Sequence, residues 1–234
     1  METAQELFSK GKHYIEILKK NLVKRIDPLQ ISTIAKVPHK ALEIRECLAY
    51  RCADIGEAIV KTYEADLFVS SIILCRSLQE TVALLWHTNR ACKRYLEDDG
   101  NSELDQTLMR ILLGFKDKGD GQENIPNAIN IMTCIDKVER EIPGFRKNYD
   151  QLSEYAHPNW SGVLGMFATT DHENIVIDLG TSLRGKENAK SQISVSFTTN
   201  IEILVMAYNE FADFLPDLVQ LCERQLEQRN NPAK

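Results

Sequence analysis

The sequence predicts a mainly α-helical bundle, a single domain with a small β-hairpin inserted before the last helix. Three observations lead there. Apolar residues recur at three- and four-residue spacing over most of the 234 residues. One segment, from about Asp66 to Glu97, is apolar nearly all round in its first half, the pattern of a helix with neighbours on several sides. Late in the chain the period shortens to two, as in a strand with one buried face.

In "KGKHYIEILKKNLVKR", Tyr14, Leu18 and Leu22 recur every four residues and give one buried stripe on an otherwise charged helix. From His39 to about Tyr63, Ile44, Leu48, Cys52, Ile55 and Ile59 continue that pattern, and the central helix follows from about Asp66. Shorter helices are expected from about Ser102 to Phe115 and from about Asn127 to Glu141. The segment between them, "KDKGDGQENIP", combines Gly, Pro and mixed charge and reads as an exposed, mobile linker. After Pro143-Gly144 a helix should carry Phe145 to about Tyr155.

Ile175, Ile177 and Leu179 alternate, as do Ile193, Val195 and Phe197, with "GTSLRGKENAK" between them. Two strands joined by a polar loop fit this, an insertion over about residues 168–198 with one face on the helices, since a lone hairpin is only marginally stable in water. "TTNIE" has the form of a capping box, Thr199 as N-cap and Glu202 three residues on, and should open a last helix from about Ile201 to Arg229. Pro216 should kink or interrupt that helix near Leu215. No composition shift marks a second core and no internal repeat is visible, so residues 1–234 are read as one domain.

Composition narrows the function classes. At 43% hydrophobic and 26% charged the chain is ordinary for a globular protein, and its net charge of -6 argues against a surface that grips nucleic acid as a whole. Cys47, Cys52, Cys75, Cys92, Cys134 and Cys222 lie mostly in apolar helical patterns without a CxxC pair, as reduced thiols of a cytosolic protein do. No zinc-ligand spacing, HExxH, GxSxG or glycine-rich phosphate loop is present, so neither metal nor cofactor is expected. "METAQELFSKGKHY" is not a secretory signal, and the apolar run "LFVSSIILC" stops at Arg76, too short to span a bilayer. These features predict a soluble, cytoplasmic protein without a membrane partner.

The candidate site is "YDQLSEYAHPNWSGVLGMFATT", in which the sixteen residues from Tyr155 to Thr170 carry no formal charge. Pro158 disfavours the helical region for His157, so a helix should end there and leave His157 at a junction from which its ring is aimed into a cleft. On the functional reading His157 is a general acid or base, with Glu154, Tyr155, Asn159 and Trp160 orienting it or a substrate. On the plainer reading His157 is a hydrogen-bonded junction residue and Trp160 is core.

A partner for it lies on the central helix. In "CRSLQETVALLW", Arg76 and Glu80 stand four apart on one face inside an apolar stretch, and buried charges are rarely left unpaired. Either they form an internal pair that fixes helix register, or they meet the segment around His157. In the second case a guanidinium stabilises charge on a phosphoryl group while an imidazole moves a proton, the division of labour of metal-independent RNA cleavage. A third reading makes the His157/Trp160 cleft a non-catalytic site for a ligand or partner protein. Lys10, Lys12, Lys19, Lys20, Lys24 and Arg25 make the first helix locally basic, either to meet RNA phosphate or an acidic partner, or as a solvated face. His39, His87 and His172 read as surface or helix-boundary residues.

"RSLQE" on a long apolar helix followed by "YDQLSEYAHPNWSG" resembles a group of bacterial proteins related to the HEPN superfamily. The resemblance covers the helical order between about His39 and Phe167 and leaves the first helix and the hairpin unexplained. It implies a helical fold, a metal-independent RNA endonuclease or a degenerate relative of one, a homodimer with facing sites, and a bacterial defence or toxin context. Active members pair an Arg with a His one or two turns later. Here Arg146 is too far upstream of His157, so His157 carries over and Arg76 would have to replace the missing Arg in space.

Overall fold

A computed structural model of the chain describes residues 2–116 and 124–230. Among them are eight α-helices and one two-stranded antiparallel sheet: α1 Ala4–Asn21, α2 Val37–Glu64, α3 Phe68–Glu97, α4 Leu104–Leu113, α5 Ile131–Glu141, α6 Phe145–Ala156, α7 Leu164–Phe167, β1 Ala168–Asp171, β2 Val176–Leu179 and α8 Leu183–Asn230. The fold is mainly α, as the sequence predicts. The expected mobile linker falls largely on residues 117–123, outside the described residues.

Helix α3 sits at the centre, packed on α2, α5, α6 and α8. Its Ile72, Cys75, Leu78, Val82 and Leu85 are fully buried, each large aliphatic side chain contributing about 1.5–3 kcal/mol by leaving water. It is the one described helix long and apolar enough to cross a bilayer, but more than half of that apolar stretch is buried against its neighbours. Helix α1 begins at a capping box, Thr3 Oγ1 accepting from Glu6 N at 3.2 Å and Thr3 N donating to Glu6 Oε2 at 2.7 Å. Its buried stripe is Phe8, Gly11 and Ile15, with the predicted Tyr14 and Leu18 half-buried against the core beside it and Leu22 at the C-cap. All six cysteines are free thiols, five of them buried and Cys47 exposed.

The C-terminal third departs from the sequence reading in three respects. Ile193, Val195 and Phe197 are not a strand: they belong to α8, which starts 18 residues earlier than expected, at Leu183. Ala189, Ile193, Phe197, Ile201 and Leu204 are buried at helical spacing while Val195 is exposed, so the longer helical stripe overrides a local alternation. Thr199 is consequently an exposed mid-helix residue, not an N-cap, and Glu202 pairs with Lys10 at 2.6 Å instead of closing a box. The real partner of β2 is β1, with Ala168 opposite Leu179 and Thr170 opposite Ile177. Finally, α8 runs through Pro216 without interruption. Both Pro216 and Ala212, whose carbonyl loses its helix partner, lie on the exposed side where water can replace the bond.

Candidate functional site

Arg76 and Glu80 are one turn apart on α3, Nε to Oε1 3.6 Å, each about one-third exposed. The residue that completes their geometry is Tyr149 of α6. Arg76 Nη2 donates to Tyr149 Oη at 2.8 Å, and Tyr149 Oη donates to Glu80 Oε1 at 2.9 Å. The guanidinium also lies 5.0 Å from the Tyr149 ring centre. Burial raises the Tyr149 phenol above its ordinary value, Arg76 opposing and Glu80 adding to the shift, so the hydroxyl keeps its proton and stays a donor to the carboxylate. The same three residue types meet again where α2 faces α8. Arg45 Nε donates to Glu46 Oε1 at 2.7 Å, Tyr208 Oη donates to Glu46 at 3.0 Å, and the Arg45 guanidinium stacks 4.2 Å from the Tyr208 ring centre. Arg45 and Glu46 are buried. An arrangement that recurs at two helix crossings is the signature of a brace.

His157 ends α6 as predicted, in extended conformation at the C-cap, its N–H donating to Ser153 O at 3.0 Å. It is exposed, and among the described residues its ring makes no hydrogen bond. It follows Tyr149 by eight positions, about 12 Å along the helix axis at 1.5 Å per residue. The structure therefore brings Arg76 and Glu80 together and leaves His157 outside their hydrogen-bonded cluster. Glu154 and Asn159 are engaged with each other, Asn159 Nδ2 donating to Glu154 Oε2 at 2.7 Å, while Asn159 Oδ1 accepts from Gly162 N at 3.3 Å. Tyr155 packs partly buried against the core.

Although Trp160, Leu164 and Thr170 do line a hollow, the uncharged run is largely exposed and not a buried junction. Its chemistry is explained by close backbone contact: a side chain at Gly162 would meet the carbonyls of Tyr155 and His157 at 2.5 Å, so the chain turns back tightly over the end of α6. Beyond that turn Trp160 is 63% exposed, not core, and Val163, Leu164 and Phe167 are exposed as well. Gly165 permits this placement, since a Cβ there would lie 3.1 Å from the indole ring. Trp160, Leu164 and Ile177 line a hollow of about 480 Å³ between α7 and the hairpin, edged by Thr170, His172 and Arg184. The register puts Ala168, Thr170, Ile177 and Leu179 on one face of the hairpin.

The basic residues of α1 are partly spent within the fold. Lys10 pairs with Glu202 and Lys12 with Glu64, each at 2.6 Å, and Lys19 pairs with Glu57. His87 corrects its surface reading: it lies half-buried in the middle of α3, its Nδ1 3.4 Å from Lys137 Nζ. Burial, then Lys137, Arg94 and Arg110, pushes it down to about 4. No group of His, Cys, Asp and Glu among the described residues could hold a metal ion.

Sequence reasoning missed Tyr149 and the Arg45–Glu46–Tyr208 brace. It also missed a larger hollow, about 790 Å³, that contains none of the candidate site residues read from the sequence. No protein-family model matches the chain, and no curated protein and no solved structure matches it either.

Proposed function

We propose that the chain is a non-catalytic protein-binding module that works through the shelf formed by Trp160, α7 and the hairpin, and that a second copy of the chain occupies this shelf in the pure protein. The observation that carries the reading is the crowding of apolar surface. Among the described residues, nine of the 21 exposed large apolar side chains fall between Trp160 and Leu183, in a tenth of the chain, whereas ordinary surface apolar residues are scattered singly. Ile175, 91% exposed, sits in the left-handed region at φ 57°, a strained position for a β-branched residue that Gly or Asn would occupy without cost.

A second copy suits this surface for two reasons. A two-stranded sheet is marginal in water, and neither strand carries the Lys or Pro that blunts a free edge. Edge-to-edge pairing of two hairpins makes four strands and gives Ile177 and Leu179 of both copies cross-strand neighbours. Charge also agrees: Asp171, Glu173 and Asp178 make the hairpin acidic, while Arg184 and Lys190 outweigh Glu187 at the start of α8, where Lys186 already pairs with Asp66, so a two-fold arrangement sets opposite signs against each other.

Ribonuclease chemistry, implied by the HEPN resemblance, would need a guanidinium beside His157, and Arg76 is engaged by Tyr149 instead. Two measurements separate the readings. Of the two tryptophans only Trp160 is exposed, so acrylamide quenching should weaken as protein concentration rises, and Ile177→Asp/Leu179→Asp should abolish that dependence. Quenching independent of concentration in the native chain would overturn the proposal. In a metal-free RNA cleavage assay the native chain and His157→Ala should be equally inactive; cleavage lost on that substitution would put the catalytic reading in its place.

A further inference from the structure

The hollow of about 790 Å³ lies between the start of α2, the first turns of α4 and the end of α8. Its size is that of a small-molecule site. Buried side chains form part of its wall: Tyr95 donates to Gln225 Oε1 at 2.6 Å, and Leu104 and Cys222 are core. Ile34, Val37, Met109 and Leu226 extend an apolar surface from there toward solvent.

The polar groups converge on one side. Ser102 Oγ is buried and has no hydrogen-bond partner among the described residues, a condition rare in folded chains. Next to it in the chain, α4 has Glu103 at its N-cap with no side-chain cap; Leu104 N donates to Ser102 O, and the Asp105 and Gln106 amides at the positive end of the helix dipole have no partner among the described residues. Lys36, Lys40 and Arg229 face Glu103 and Asp105 around the rim, and Asp105 is held by Lys40 at 2.6 Å. Lys36 makes no ion pair among the described residues. The rim thus keeps one positive charge in excess over an apolar interior. Burial pushes Tyr95 up to about 12 and Cys222 up to about 11, so neither wall group adds a negative charge near neutral pH.

We infer that this hollow binds a small amphipathic carboxylate, its tail against Val37, Met109 and Leu226 and its carboxylate against Ser102, Lys36 and the Asp105 and Gln106 amides of α4. The site is separate from the Trp160 shelf and stands or falls independently of it. The test is calorimetry on the full chain with decanoate, decanol and decyltrimethylammonium, each below its micelle concentration. Decanoate should bind, decanol should bind about tenfold more weakly for want of the charge-assisted bonds, and the cation should not bind. Leu226→Trp, which fills the hollow, should abolish decanoate binding, and the exposed Lys36→Glu should weaken it about tenfold. Absence of decanoate binding overturns the inference, as do equal affinity for decanol and decanoate binding unaltered in Lys36→Glu.

Discussion

Tyr149 converts an ion pair into a three-membered brace between α3 and α6. Its hydroxyl accepts from Arg76 and donates to Glu80, so deleting that one oxygen leaves a half-buried cation and anion without their shared partner. Tyr149→Phe should therefore destabilise the protein by about 1–2 kcal/mol in urea unfolding; an unchanged midpoint would mean that the brace carries no energy. Pairing of Arg76 with Glu80 was legible from their four-residue spacing, but nothing in one sequence says which tyrosine crosses that face. Arg45 and Glu46 escaped notice for a related reason, since neighbouring helical residues usually point apart. His87 adds a pH dependence. Its ordinary value is 6.5 and the folded value is about 4, so the unfolded chain takes up the proton first. Stability is then complete above about 6.5 and is lost as pH falls toward 4. Urea midpoints should drop between pH 7 and pH 5 in the native chain, and His87→Phe should remove most of that drop.

At the scale of elements, the hairpin is where local pattern and long-range packing compete. Ile193 and Phe197 are four apart, so the alternation that suggested a strand is equally a helical repeat. Only the longer series from Ala189 to Leu204 decides between them. The missed strand, Ala168–Asp171, has weak alternation, yet its turn was readable. Asp171 Oδ1 accepts from the amides of Glu173 and Asn174 at 2.9 and 3.2 Å, an Asx turn written in "DHEN". The end of α6 was readable too, because Pro158 forbids helix at His157. What followed was not, because small uncharged residues suit a buried junction and a tight exposed turn alike. Gly162→Ala tests that turn. With two carbonyls at 2.5 Å and no side chain able to yield, it should destabilise by about 1–3 kcal/mol in thermal unfolding, whereas an unchanged midpoint would mean that the turn opens freely.

For the whole molecule, the helices supply a core that runs from Phe8 to Cys222, and the apolar residues left over collect outside it. Periodicity reports burial well, which is why five of the helices, α2 to α6, were placed within a few residues. It does not report whether an apolar residue is buried by its own chain or by another. Trp160 and Leu179 read from sequence as inward-facing; the structure leaves them in water. Sedimentation equilibrium through the micromolar range is the most direct test of the shelf as an interface between copies. The native chain should fit a monomer–dimer equilibrium, with Ile177→Asp/Leu179→Asp monomeric at every concentration and unchanged in helical circular dichroism. A native chain that stays monomeric throughout, or a variant that dimerises as tightly as the native chain, would contradict the account.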